Sequence, residues 1–323
     1  MTGGPKLMDI DLVRLRFDSQ GLWLLNLVIG LVMFGVALDL KISDFKHIWA
    51  KPLAPVTGIV AQFILLPAFT FLLTLVLNIS PSLALGMILV AACPGGNLSN
   101  FLTHLARGTT VLSVTMTAAS TALAILMTPL NLAFWGGLRS GTAEILRDVR
   151  LDAWDMLGTI VVILGVPLVL GMLVAWRVPR LAIRLHNPFK IFSILFFILF
   201  VGFVFSRNFD LFVKWIGWIA LAVALQNAVA LGLGYYSGRV VGLSQADRRA
   251  ISIEVGIQNS ALGLSLVFTF FEGLGGMALI AGWWGIWHIV TGLPLALYWS
   301  KNPPKTLAPE LGTSGSDFIH GKS

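Results

Sequence analysis

Apolar residues in this chain come in stretches of about twenty that recur along nearly its whole length. They cover about 21–39, 53–78, 83–106, 109–135, 157–176, 188–206, 214–238, 250–271 and 277–299. Each is long enough to cross the hydrocarbon core of a bilayer as an α-helix. Hydrocarbon gives a backbone N–H or C=O no partner, so a crossing segment has to bond within itself or close into a barrel. The short alternating segments of a membrane barrel are absent. The pattern predicts an all-α integral membrane protein of about nine transmembrane helices.

The polar stretches between these runs are short, with one exception. Residues 136–156 mix Leu, Ile, Val and Trp with Arg and Asp, which predicts a short amphipathic helix on the membrane surface. Residues 301–323 are rich in Pro, Gly, Ser and Lys and read as a solvated cytoplasmic tail. Residues 1–21 carry Asp9, Asp11, Arg14, Arg16 and Asp18, which is not the apolar core of a signal peptide. That segment is expected to be retained, outside the cytoplasm.

Composition agrees with lipid as the solvent. Of 323 residues, 57% are hydrophobic and 11% charged, and mean hydropathy is +0.87. A soluble domain carries roughly 25% charged residues, so this chain has too few to cover a water-facing surface. The formal charge of +7 would suggest nucleic acid in a soluble protein. Here the basic residues lie between the apolar runs, so they report topology, and no nucleic-acid partner is expected. Of the 22 Lys and Arg, 14 fall on the side that includes Arg107, Arg177, Arg249 and the C-terminal lysines, and 8 on the side that includes Arg14, Arg139 and Arg207. The positive-inside bias places the C-terminus in the cytoplasm and the N-terminus outside, as an odd number of spans requires. Trp49, Trp135, Trp176, Trp215 and Trp299 fall near span ends, where interfacial aromatics sit. The one cysteine, Cys93, excludes an intrachain disulfide and a thiolate metal cluster.

Two runs are not plain lipid-facing helices. The third contains Cys93-Pro94-Gly95-Gly96-Asn97-Leu98-Ser99-Asn100. Proline removes a backbone donor and two glycines follow, a combination that unwinds a helix near mid-membrane depth. The eighth contains Glu254-Val255-Gly256-Ile257-Gln258-Asn259-Ser260. A kink for close packing is the ordinary use of the first motif. A carboxylate deep in a span is costly and usually functional, and the pair together asks for more than packing. The two breaks lie five spans apart, so their helices run in opposite directions, the layout of an inverted repeat with ion and solute sites at the midplane. Gln62 precedes Asn97 by 35 residues and Gln226 precedes Gln258 by 32, a second echo between the halves. The halves are unequal, four spans then five, so the first is read as short of one span.

Unwinding supplies the chemistry. Freed carbonyls with Ser, Thr, Asn, Gln and carboxylate oxygens suit a small hard cation, while half-helix N-termini suit an anion. A proton on Glu254 is an alternative coupling ion, but the many neutral oxygen donors favour sodium.

At these residues the chain resembles the bile acid:sodium symporter family, over nearly the whole of residues 22–300. The resemblance rests on CPGGNLSN at 93–100 and EVGIQNS at 254–260, supported by AQFILLP at 61–67, LARG at 105–108, LSVTMT at 112–117 and IWH at 286–288. It implies a core domain from the spans near 53–135 and 214–299, in which the two broken helices cross. It implies a panel domain from the spans near 21–39 and 157–206. The chain resembles the family's nine-span form, which lacks the extra first helix of a ten-span form. Two sodium sites are implied. The first would use Ser99, Asn100, Ser113, Thr117 and Glu254. The second would use Gln62, Glu254, Gln258 and the carbonyls of Val255 and Ile257. Asn97, Leu98, Asn259, His288 and Ile289 are the positions implied to line the solute cavity. Asn97 and Ile289 depart from the Thr and Asn common in bacterial relatives, which leaves the solute open. The function implied is sodium-coupled symport of an organic anion, such as a bile acid or small carboxylate, by alternating access across the cell membrane. The competing classes are a channel and a ligand-binding receptor. A channel needs a polar stripe along several spans, whereas the polar residues here cluster at the midplane. His104, His288 and Glu254 form no HExxH or paired-carboxylate motif, and no enzymatic activity is expected.

Overall fold

The computed structural model describes residues 7–14, 19–38, 52–149, 153–207 and 209–304. The lysine and aspartate cluster at 39–51 and most of the C-terminal tail lie outside the described residues. Within them the secondary structure is helical, with two isolated antiparallel bridges and no strand.

A 3₁₀ turn, Leu7–Leu12, is followed by α1, Ser19–Ala37. Helix α2 runs as Leu53–Val60, a π-helical turn Ala61–Leu65, and Leu66–Val76. The third apolar run is two helices, α3 (Pro81–Ala92) and α4 (Leu98–Leu105). Helix α5 is Thr110–Gly137 and α6 is Ser140–Asp148. Helix α7 runs as Ala153–Ile160, a second π turn Val161–Gly165, and Val166–Arg177. Then come α8 (Pro179–Arg207) and α9 (Phe209–Val240). The eighth run is again two helices, α10 (Gln245–Gly256) and α11 (Ser260–Phe270), and α12 is Gly275–Lys301.

Among the described residues five segments are long and apolar enough to cross a membrane: Leu53–Val76, Thr110–Gly137, Leu157–Arg177, Val213–Val240 and Gly275–Lys301. Their outward faces carry large apolar side chains such as Ile64, Leu72, Leu130, Val162, Leu221 and Val290. A belt of that breadth is a liability in water and ordinary in lipid.

The two π turns share a cause. Each ends two residues before a proline, Pro67 or Pro167. A proline cannot donate to the carbonyl four residues back, and its ring crowds that carbonyl. A single wider turn relieves the crowding and re-aims the side chains around it.

Helices α9 and α10 pack side by side, as do α3 and α12, while α1 packs on α7 and α8. Small residues set the closest approaches. A side chain at Gly234 would meet the backbone of Ile251 and Ser252, and one at Gly86 would meet the backbone of Met277. Glycine lets the backbones touch where lipid provides no hydrophobic drive between helices.

The N-terminal turn belongs to this body. Ile10 is fully buried, Asp11 accepts from the Ser82 N–H at 2.8 Å, and Gly275 N–H donates to the Val13 carbonyl at 2.8 Å. It sits across the start of α3 and the start of α12 and marks one end of the molecule, the Asp11 end. The segment 140–148 is helical as expected and packs on α3 and α5, with Thr142 buried.

Candidate functional site

The breaks meet. Gly96 N–H donates to the Ile257 carbonyl at 2.7 Å, and Asn259 N–H donates to the Pro94 carbonyl at 2.9 Å, an antiparallel bridge centred on Gly95 and Gln258. Four backbone groups that unwinding had freed thus satisfy one another, which is what a buried break requires. Side chains from neighbouring helices take other orphan carbonyls. Thr128 Oγ1 donates to the Ala92 carbonyl at 2.7 Å, Gln62 Nε2 to the Cys93 carbonyl at 2.8 Å, and Asn227 Nδ2 to the Gly256 carbonyl at 2.8 Å. Asn227 is itself held by Thr291 Oγ1 at 2.6 Å.

Gln226, the sequence echo of Gln62, has a different place. Its Nε2 donates to the Met87 carbonyl at 2.8 Å and approaches Thr70 Oγ1 at 3.3 Å, so it holds α3. Asn227, one residue on, does for the second break what Gln62 does for the first.

Glu254 lies in the last turn of α10, fully buried, beside the N-terminus of α4. Its Oε2 receives Ser99 Oγ at 2.5 Å and Ser113 Oγ at 3.1 Å, and its Oε1 receives Thr117 Oγ1 at 2.7 Å. Ser113 and Thr117 also stand 2.8 and 3.2 Å from Asn100 Oδ1, and Thr117 Oγ1 stands 3.0 Å from the Ser113 carbonyl. The five side chains expected for the first ion set are therefore together.

Their hydrogen count is short. A hydroxyl has one proton to donate and two lone pairs. Three hydroxyl protons serve six oxygen–oxygen distances of 2.5–3.2 Å. Turning the Asn100 amide over would add two donors and still leave the set one short. Lone pairs left over once the protons are placed are the kind of donor a small hard cation uses.

The second set is closed differently. Gln62 and Gln258 form a reciprocal amide pair: Gln62 Nε2 donates to Gln258 Oε1 at 2.7 Å, and Gln258 Nε2 stands 3.3 Å from Gln62 Oε1. Gln258 Nε2 also donates to the Val255 carbonyl at 2.6 Å, while the Ile257 carbonyl is turned into the bridge. The described hydrogen bonds of Glu254 go to the first set, not to this one. The π turn at 61–65 carries Gln62 against the break, and Gly95 makes room for the carboxylate, because a Cβ there would overlap Glu254 Oε1.

The expected solute positions are more dispersed. Asn97 is exposed at the start of α4, and Leu98 packs towards Leu102 and Ile253. Asn259 caps α11 by accepting from Leu262 N–H at 3.1 Å. His288 is buried on α12, with no hydrogen-bond partner for Nδ1, while its neighbour Ile289 is 41% exposed. A cleft of about 760 Å³ lies elsewhere, between α1 and α7, lined by Trp23, Asn26, Phe34, Trp154, Thr159 and Pro167 among others.

A family model described as the sodium bile acid symporter family matches residues 26–215. The chain belongs to that family. It is 31% identical over 316 residues to an "uncharacterized sodium-dependent transporter" of Bacillus subtilis, covering 95% of this chain and 93% of that one. It is 30% identical over 283 residues to a chloroplastic protein of Arabidopsis thaliana named "probable sodium/metabolite cotransporter", with 87% and 68% covered. It is 31% identical over 264 residues to the ileal sodium/bile acid cotransporter of Cricetulus griseus, with 76% and 72% covered. Membership makes this symporter-family chain a membrane protein of a sodium-dependent transporter family, and these relatives carry the names of transporters rather than enzymes.

Proposed function

We propose that this protein is a sodium-driven symporter of an organic anion, working by alternating access in the cell membrane. The observation that carries the reading is the proton-poor oxygen cluster around Glu254, where the two broken helices meet. Sodium would take lone pairs from Ser99, Asn100, Ser113, Thr117 and Glu254 at once; a proton on Glu254 would also supply the one hydrogen the set lacks with the Asn100 amide turned, and it is membership of a sodium-dependent family that favours sodium.

A second sodium ion would use Gln62, Gln258, the carbonyls of Val255 and Ile257, and Glu254 as the shared charge. The amide pair and the Gln258–Val255 bond would have to open for it, so the first site fills before the second. Two sodium ions beside one carboxylate leave a net positive site, which draws a carboxylate-bearing solute towards Asn97, Leu98, Asn259, His288 and Ile289. Bile acids and small metabolite anions are the substrate classes, in keeping with the names of the relatives. Two sodium ions with one monoanion move one net charge, adding about 2.3 kcal/mol of driving force per 100 mV.

In this reading the protein has nine spans arranged as an inverted repeat, with the Asp11 end outside and the C-terminus in the cytoplasm. Helices α2–α5 and α9–α12 form the core, α1, α7 and α8 the panel, and residues 1–21 and 301–323 flank them. Rocking of core against panel exposes the site to each side in turn.

Uptake into proteoliposomes, with and without an inward sodium gradient, over bile salts and small carboxylates, tests the function. At least one anion should accumulate faster with sodium; none doing so across the panel sinks the reading. Glu254→Gln tests the ion site: sodium should raise the melting temperature of the parent protein by mass action and leave that of the variant unmoved.

A further inference from the structure

Helix α1 is tied to the second broken span by polar contacts that neither ion set uses. Asn26 Oδ1 accepts from Ser265 Oγ at 2.9 Å and from Thr269 Oγ1 at 3.3 Å. The two hydroxyls are four residues apart, on one face of α11. Ser265 is fully buried, and Asn26 and Thr269 are half-buried. Further along the same pair of helices, Asn259 Nδ2 lies 3.9 Å from Met33 Sδ. Met33 is seven residues past Asn26, two turns on along one face, while Asn259 precedes Ser265. The helices therefore lie antiparallel, touching at the junction of the breaks and again towards the Asp11 end. Ile29, between Asn26 and Met33 on that face, is 1% exposed.

Polar side chains in apolar helices act as interhelical glue, because hydrocarbon offers them nothing else. This glue joins two elements that alternating access has to separate. Helix α11 also begins at the junction: Asn259 N–H is bonded to Pro94, and its side chain caps the helix. A change in the order of the junction reaches α11 at its first residue, and reaches the two hydroxyls two to three turns later.

We propose that Asn26, Ser265 and Thr269 form a latch that closes the way between α1 and α11 at the Asp11 end and is opened and re-formed in each transport cycle. The proposal rests on the alternating-access reading above. Asn26 is a positioning residue, which sets the balance between closed and open without touching ion or solute. A symporter meets its solute on the sodium-rich side after the ion has bound, so sodium favours the unlatched form.

The sole native cysteine, Cys93, is buried, so Ile29→Cys gives a single reporter behind the latch. Its labelling by a membrane-impermeant maleimide, in purified protein without solute, reads the latch directly. Sodium should raise the rate. Asn26→Ala should raise it about five- to thirty-fold without sodium, the range for losing two modest buried hydrogen bonds, and should abolish the response to sodium. Ser265→Ala with Thr269→Val should give the same rise, and adding Asn26→Ala to them should give nothing further. Unchanged rates, additive rises or a retained sodium response overturn the latch. Hydrogen exchange of the protein without the reporter is an independent measure: Asn26→Ala should speed exchange over 26–33 and 262–269, and unchanged exchange in the folded variant counts against the latch as well. None of these readouts needs transport, so the symport reading can fail in the uptake assay of the unsubstituted protein while the latch stands, and the reverse.

Discussion

Gly95 faces the Glu254 carboxylate so closely that a methyl group on residue 95 would fall on Oε1. The backbone of one broken helix is thereby fitted to the buried Glu254 carboxylate of the other. Gly95→Ala has to push Glu254 away from Ser99 and Thr117 or open the bridge to Gln258. Overpacking of this kind costs about 1–3 kcal/mol. Thermal unfolding with and without sodium chloride should show a lower melting temperature and a smaller shift on adding sodium. A normal shift would mean that the carboxylate does not have to stay where it is for the ion to bind.

The side chains that cap the breaks should behave differently from those proposed to bind the ion. Asn227→Ala leaves the Gly256 carbonyl without its partner, and Thr128→Val does the same to the Ala92 carbonyl. Each should cost about 1–3 kcal/mol of stability. The sodium concentration for half-maximal stabilisation should stay close to that of the parent. A large change in that concentration, with stability unaltered, would move these residues from scaffold to site.

Pro67 is the cause assigned to the π turn that aims Gln62. Pro67→Ala restores a donor to the helix and allows a regular α-turn. Residues before the turn then rotate relative to those after it, and Gln62 leaves the Cys93 carbonyl and Gln258. The variant should fold, since alanine suits a helix. It should need about tenfold more sodium for half-maximal uptake, the equivalent of about 1.4 kcal/mol. An unchanged requirement would detach the π turn from ion binding.

Arg249 is a different sort of buried charge, 1% exposed at the end away from Asp11. Its guanidinium donates to the carbonyls of Ala106 at 2.9 Å, Trp299 at 3.0 Å and Asn302 at 2.5 Å, and lies over the Trp299 ring. It thus caps the C-terminal ends of α4 and α12 together. Lysine keeps the charge but not the planar fork. Arg249→Lys should lower the melting temperature by several degrees, consistent with losing about 2 kcal/mol of charged hydrogen bonds. Loss of sodium response at unchanged stability is the contrary result.

What could be read from the chain follows from the range of the forces involved. The apolar runs and both breaks were legible, because proline, glycine and an intramembrane carboxylate act on the few residues around them. The convergence of Ser99, Asn100, Ser113 and Thr117 on Glu254 was reached through the resemblance, and the geometry brings them together. The π turns were not legible: Pro67 and Pro167 follow one, whereas Pro188 and Pro294 lie within helices that continue as α. Proline by itself does not choose between those outcomes. Choosing Asn227 over Gln226 as the cap of the second break depends on a rotation of one residue along α9, which a spacing argument cannot resolve. The cluster of carbonyls under Arg249 joins three chain segments and leaves no local trace.

The turn at Leu7–Leu12 has a consequence for how the molecule is made. Ile10 and Val13 are synthesised more than two hundred positions before Leu274 and Gly275, which form part of the seat of this turn. Early insertion therefore proceeds with this apolar turn unplaced, and it can dock only when nearly every helix is present. Docking of the N-terminal turn is then a late event in biogenesis, and its protection from protease would report that assembly is complete.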